Sequence, residues 1–224
     1  MTLKQELQWI FFDLGETLID ESAAILESIR QFAVESAALG YAFHPDEVVR
    51  GLEDAYRAFA EFPMGDYMER HVASVDHRRI IKQNMRYRKD MERPFPAALP
   101  LVRELSGLYR IGIIANQGPG TTDRLKAYGF AEYITVCCES AEAGFAKPNP
   151  QLFQLALEQA SCLPRHAVMI GDRIDNDIIP AKRLGMKAVY VRQGLARYQP
   201  IPKGADAPDA VLDKIEDIRS LLMR

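Results

Sequence analysis

Three carboxylates and one amine stand where open α/β sheets place their chemistry. Asp13 ends the apolar run Trp9, Ile10, Phe11, Phe12. Lys147 lies in the segment GFAKPNP (144–150), and Asp172 and Asp177 lie in GDRIDND (171–177). Each follows a strand end or precedes a helix in the sequence pattern, and in a doubly wound sheet those loops open on one carboxyl edge. Carboxylates gathered without a cation repel and raise each other's pKa. A hard divalent ion resolves that conflict, and Mg²⁺ takes a few carboxylates, waters and a phosphate oxygen. Lys147 adds a point charge suited to a phosphoryl oxygen and to holding Asp13 ionised. An Asp so held can attack phosphorus and form an aspartyl-phosphate, and the surrounding charge stabilises the group in transfer.

The elements that must position these residues follow from hydrophobic periodicity. Buried strands are expected at Trp9–Phe12, Tyr109–Ala115, Tyr133–Cys137, Ala167–Ile170 and Ala188–Val191. Helices are expected at Ala97–Leu105, Thr121–Tyr128, Pro150–Ala160, Asp177–Leu184 and about Lys214–Leu222. Strands alternating with helices imply a mostly parallel sheet with right-handed crossovers. Between Glu21 and Glu92 there is no strand pattern. Helical spacing recurs at Glu21–Gly40, Pro45–Phe62 and about Tyr67–Met91, with a turn at Phe62–Asp66. The fold class expected is α/β: a Rossmann-like, doubly wound parallel core of residues 1–19 and 94–224, interrupted by an all-helical insert over 20–93.

A chain of 224 residues can hold such a core and a smaller insert. The net charge of −3 argues against a general nucleic-acid binder. No apolar run is long enough to span a bilayer, and the N-terminal MTLKQELQ lacks a leader pattern, so cytoplasmic residence is expected. Cys137, Cys138 and Cys162 form no CxxC pair and read as buried reduced thiols.

The order Asp13, Lys147, Asp172, Asp177, with the flanking FFDLGETL, KPNP and MIGDRIDND, resembles the haloacid dehalogenase-like hydrolase superfamily over essentially the whole chain. The helical insert resembles that superfamily's C1-type cap. The resemblance implies that Asp13 is the nucleophile and a metal ligand, and that Lys147 holds Asp13 and the phosphoryl group. It also implies that Asp172 and Asp177 complete a Mg²⁺ site with the backbone carbonyl of Gly15, and that Ala115 and Asn116 flank the phosphoryl group. The partner implied is a small phosphorylated metabolite, without nucleic acid or membrane, acted on by a monomer or homodimer.

Two positions depart from the family pattern. The general acid/base two residues after the nucleophile is replaced by Gly15, and the usual Ser or Thr before Asn116 is Ala115. Glycine keeps the carbonyl but removes the proton donor, a loss of about 10²–10⁴-fold in rate. Ala115 removes one hydroxyl bond to a charged group, worth about 1.5–3 kcal/mol; backbone N–H groups of Asn116 and Gln117 could replace it in part. The site then reads in several ways. In one, a phosphatase draws its acid from Glu16, Asp20, Glu21 or a His or Tyr of the insert. In a second, it uses acyl or aryl phosphates, whose leaving groups need little protonation. In a third, it is a weakened site in a binding or regulatory protein. A 2-haloacid dehalogenase also lacks that acid, but it needs no pair like Asp172 and Asp177.

Other features have plainer readings. Arg78, Lys82, Arg86, Lys89 and Arg93 form one helical stripe opposite Ile80, Tyr87 and Met91, read as a solvated face or a basic surface that draws anions. His44, His71, His77 and His166 show no metal spacing; His71 and His77 read as surface residues of the insert. Gly118-Pro-Gly120 reads as a turn before a helix. Asp175 reads as a helix N-cap, and Glu139 and Glu142 as support for the lysine loop or as solvated acids.

Overall fold

The apolar runs become the strands β1 (Trp9–Phe12), β2 (Ile19–Asp20), β3 (Arg93–Pro94), β4 (Arg110–Ala115), β5 (Ile134–Glu139), β6 (Ala167–Gly171), β7 (Lys187–Val191) and β8 (Ala210–Leu212) in a computed structural model of the chain. The structure describes residues 6–223; residues 1–5, including most of the MTLKQELQ segment, and residue 224 lie outside the described residues. Six strands form one sheet in the order β5-β4-β1-β6-β7-β8, with every neighbouring pair parallel. From β1 the chain adds β4 and β5 on one side, then β6, β7 and β8 on the other. The direction of winding therefore reverses at β1, and the crevice at a reversal is where open sheets bind ligands.

Alternation along the strands buries both faces. Phe12, Ile113, Ile170 and Val189 pack with Leu101, Leu105 and Ile218 on one face. Phe11, Ile114, Met169 and Tyr190 pack with Phe153, Leu157 and Ile178 on the other. Gly112 is required here, because a Cβ at that position would lie 2.4 Å from the Phe11 ring. Among the described residues no helix is long and apolar enough to cross a membrane.

The chain divides into two compact units: Met1–Asp20 with Pro94–Gln193 and Pro200–Arg224, and Glu21–Arg93 with Gly194–Gln199. The first holds the six-stranded sheet. The second has its own core of Ile29, Phe32, Val48, Leu52, Tyr67, Met68, Val72 and Ile81. Gly194–Gln199 joins this unit from a distant part of the sequence: Leu195 packs on that core, and Arg197 donates to Glu53 at 2.7 Å.

The helices of the second unit differ from the expected ones. They run over Ser22–Ala37, Pro45–Arg57, Pro63–His71 and Val75–Asn84. The expected turn at Phe62–Asp66 is instead a helix start, since proline at the first helical position has a suitable φ and no N–H to satisfy. The expected helix to Met91 breaks at Val72–Ser74. Ser74 caps the next helix by accepting from His77 N–H at 3.3 Å. Arg78 closes the preceding one by donating to the Val72 and Ala73 carbonyls at 2.6 and 3.0 Å.

The basic stripe dissolves for the same reason. The helix ends at Asn84, so Arg86, Lys89 and Arg93 are not on it. Arg86 and Arg93 each donate to backbone carbonyls of their own segment. Ile80 is exposed, and Ile81 is the residue that enters the core. Of the cysteines only Cys138 is fully buried, and all are free thiols. Burial, with nearby acids, pushes Cys137 up to about 12 and Cys138 up to about 11.

Candidate active site

Asp13 stands one residue beyond β1. Its N–H still donates to the Ile170 carbonyl at 2.9 Å, which continues the ladder to β6. The chain then folds into a tight loop around one acceptor. The Leu14 carbonyl receives N–H bonds from Thr17, Leu18 and Ile19 at 3.3, 2.9 and 2.8 Å. Within this loop Gly15 pairs with Ile19 in an isolated bridge, and Glu16 takes a left-handed φ of 52°. Few non-glycine residues accept that conformation without restraint from their surroundings.

Lys147 reaches the same edge from the segment after β5. Its Nζ donates to Asp13 Oδ1 at 2.5 Å and to Asp177 Oδ1 at 2.6 Å. All three side chains are buried. Burial alone would lower the amine's pKa, but the charges of Asp13 and Asp177 and their hydrogen bonds outweigh it and hold Lys147 charged. Asn116, just beyond β4, grips the backbone of Lys147: the Lys147 N–H donates to Asn116 Oδ1 at 2.6 Å, and Asn116 Nδ2 donates to the Lys147 carbonyl at 2.9 Å.

Asp172 follows the last residue of β6. The buried Thr17 hydroxyl lies 3.5 Å from Asp172 Oδ1. Asp177 lies inside a π-helical turn, Ile174–Ile178, that precedes the helix Ile179–Arg183. The expected helix start at Asp177 is thus corrected, because the wider turn carries Asp177 back over Gly171. Arg173 N–H donates to Asp177 Oδ2 at 3.0 Å. A Cβ on Gly171 would meet that same oxygen at 2.3 Å, so only glycine leaves room for the carboxylate. Asp175 is not an N-cap; it forms a bidentate ion pair with Arg173.

Oxygens of Asp13, Asp172 and Asp177 all lie within 4.8 Å of one another. Burial and the charges of Asp13, Asp177 and Glu16 push Asp172 well above the usual carboxylate range. Burial raises Asp177 to about 6 against the opposing pull of Lys147. Lys147 therefore does not neutralise the cluster. Close-set oxygen donors on carboxylates that burial and mutual repulsion keep from ionising freely fit a hard divalent cation. Both Asp177 oxygens already accept hydrogen bonds, so Asp177 would hold an ion through a remaining lone pair or through water.

The structure thus brings Asp13, Lys147, Asp172 and Asp177 together. Ala115 is the buried last residue of β4. Asn116 is exposed as a residue, with its side chain committed to Lys147. Gly15 is half-buried. Glu139 is buried at the end of β5, whereas Glu142 is exposed. None of the histidines belongs to the acidic cluster. His71 packs against the Tyr67 ring, His77 Nδ1 lies 3.0 Å from the Tyr41 hydroxyl, His44 caps a helix, and His166 meets the Glu6 carbonyl. Gly118-Pro-Gly120 does lead into a helix, with Gly120 left-handed at φ 87°. The clearance at Gly171, the Arg173 N–H and the Thr17 hydroxyl were not singled out by the sequence reading; a glycine closing a strand immediately before Asp172 is the signal that points to the first of them.

A family model described as haloacid dehalogenase-like hydrolase matches residues 10–191. A glyceraldehyde 3-phosphate phosphatase of Pyrococcus furiosus is 30% identical over 203 residues, 85% of this chain and 82% of that protein. A protein of the same name from Methanothermobacter thermautotrophicus is 31% identical over 136 residues, 58% of this chain and 59% of that one. Among solved structures, the HAD-hydrolase YfnB of Bacillus subtilis bound to magnesium aligns with a TM-score of 0.64 at 18% identity, over 97% of this chain and 99% of that one, a likeness of fold.

Proposed function

The chain belongs to the haloacid dehalogenase-like hydrolases, and on that premise we propose that it is a Mg²⁺-dependent phosphatase that works through an aspartyl-phosphate at Asp13. The single observation that carries this reading is Lys147 bonded at once to Asp13 and Asp177 inside a close cluster of three buried carboxylates. The substrate is a small phosphorylated metabolite in the cytoplasm, and the shared name of the two relatives supports that class.

The residues divide the work. Asp13, bonded to the Lys147 amine, attacks phosphorus; its new O–P bond forms as the bond to the leaving oxygen breaks. Water then attacks the same phosphorus and releases phosphate, returning Asp13 as carboxylate. Lys147 offers positive charge to the phosphoryl oxygens during both transfers. Asp13, Asp172 and Asp177, with the Gly15 carbonyl, are the residues that would hold Mg²⁺; the ion supplies charge neutralisation and orientation. Backbone N–H groups after β4 take the place of the hydroxyl absent at Ala115.

Gly15 brings no proton to the leaving oxygen. Aryl and acyl phosphates are therefore the best substrates of this site, because their leaving groups depart as stable anions. The same glycine favours one second reading, a weakened site in a binding or regulatory protein. Dehalogenation is disfavoured, because attack on carbon requires no pair like Asp172 and Asp177. The test is Mg²⁺-dependent turnover of a panel of aryl and acyl phosphates: Asp13→Asn abolishes it if the proposal holds, and unchanged turnover refutes it.

A further inference from the structure

Gln193 follows β7 by two residues and spans two backbone groups. Its Nε2 donates to the Glu16 carbonyl at 2.9 Å. Its Oε1 accepts from the Ile215 N–H at 2.8 Å. One partner can only accept and the other can only donate, so the orientation of the amide is fixed by its neighbours. The bond to Glu16 reaches into the loop that follows the nucleophile.

The consequence lies in the torsions of that loop. The Gly15 carbonyl and the Glu16 N–H share one peptide plane. The Glu16 N–H is tied to the Ile19 carbonyl at 2.7 Å, and the Glu16 carbonyl is tied to Gln193. These two bonds hold Glu16 on both sides of its left-handed φ of 52°. Few non-glycine residues adopt that φ. Losing the Gln193 bond lets Glu16 relax and turns the Gly15–Glu16 peptide with it. The Gly15 carbonyl then swings away from its present direction, while Asp13 itself stays anchored to Ile170.

We infer that Gln193 is a positioning residue that aims the Gly15 carbonyl at the metal position by clamping the Glu16 carbonyl. This rests on the metal-dependent reading of the acidic cluster. The need for such a clamp is specific to this loop, in which glutamate, not glycine, carries the left-handed turn beside Gly15. Gln193 is also the last residue before the chain enters Gly194–Gln199, the segment built into the second unit. Gln193 lines a cavity of about 340 Å³ with Phe95, Pro96, Lys214, Ile215 and Glu216.

The test compares Gln193→Met, which removes both bonds, with Gln193→Glu, which keeps the acceptor for Ile215 and removes the donor to Glu16. Mg²⁺ affinity is measured by isothermal titration on the whole chain, together with thermal unfolding without metal. Both variants are expected to bind Mg²⁺ about tenfold more weakly, with unfolding temperatures near that of the parent. A fall in unfolding temperature with unchanged Mg²⁺ affinity means that Gln193 is merely structural and overturns the inference. Weakening in only one variant overturns it too, because the shared lesion is the lost donor. If the parent binds no Mg²⁺, the metal reading fails and this inference falls with it; if the parent binds and both variants bind equally well, only this inference falls.

Discussion

Asn116 holds Lys147 by both ends of its own backbone, accepting from its N–H at 2.6 Å and donating to its carbonyl at 2.9 Å. A pair of bonds of this kind fixes a residue's position more tightly than either alone. The lysine amine must then reach Asp13 and Asp177 at once, and it does so at 2.5 and 2.6 Å. The asparagine of the β4 loop thus acts on the site through the lysine of the β5 loop.

Asn116→Ala is accordingly expected to lower kcat by about 10²-fold, the cost of misplacing a charged group by about 1 Å. Steady-state kinetics with an aryl phosphate checks this. KM should change much less than kcat, since Lys147 retains its charge. An unchanged kcat would mean that Lys147 holds its place without Asn116.

Much of this site is legible in the sequence, because a carboxylate that closes an apolar strand declares its own position. Asp13 after Trp9–Phe12 and Asp172 after Ala167–Gly171 are both of that kind. Asp177 is legible as a residue but not as geometry: a π-turn has no hydrophobic period to announce it, and the absence of a side chain at Gly171 gives its carboxylate room. Gln193 left no signal, because its partners are backbone groups of residues 16 and 215, far away in sequence. The core strands were read to within about two residues, whereas β2, β3 and β8 span only two or three residues each and are too short to show alternation. The helices of the second unit are less legible, since Pro63 starts a helix and proline in a sequence marks a turn equally well.

Gly15→Asp restores a proton donor two residues after Asp13. It is expected to raise turnover of alkyl phosphates by about 10²–10⁴-fold and to speed the steady phase with aryl phosphates, while leaving the rate of their burst little changed. In the parent, a burst of aryl alcohol should precede a slow steady phase, because the same missing group leaves water unactivated in the second step. Stopped-flow absorbance reads both. A linear trace from the first turnover, with no gain in the variant, would show that another residue already supplies the proton.

The pH dependence has a definite sign. Burial raises Asp177 to about 6, and burial and acidic neighbours push Asp172 well above the usual carboxylate range. Without metal, the folded chain binds protons more tightly than the unfolded chain in the window between the ordinary carboxylate value and these raised values, so stability falls as pH rises through it. A divalent cation needs the same oxygens ionised and must displace those protons. Added Mg²⁺ is therefore expected to raise the unfolding temperature strongly at about pH 8 and little at about pH 5. Differential scanning calorimetry across that range checks it. Stabilisation that is equal at both ends would mean that the ion binds elsewhere.

The central claim is that phosphorus passes through Asp13. The most direct measurement quenches the Mg²⁺-supplemented enzyme in acid during turnover of an aryl phosphate and maps the modified peptide by mass spectrometry. The account predicts one phosphoryl group on the peptide that contains Asp13, and none in the Asp13→Asn variant. A turning-over enzyme whose Asp13 peptide stays unmodified, or whose phosphoryl group sits on another residue, would contradict it.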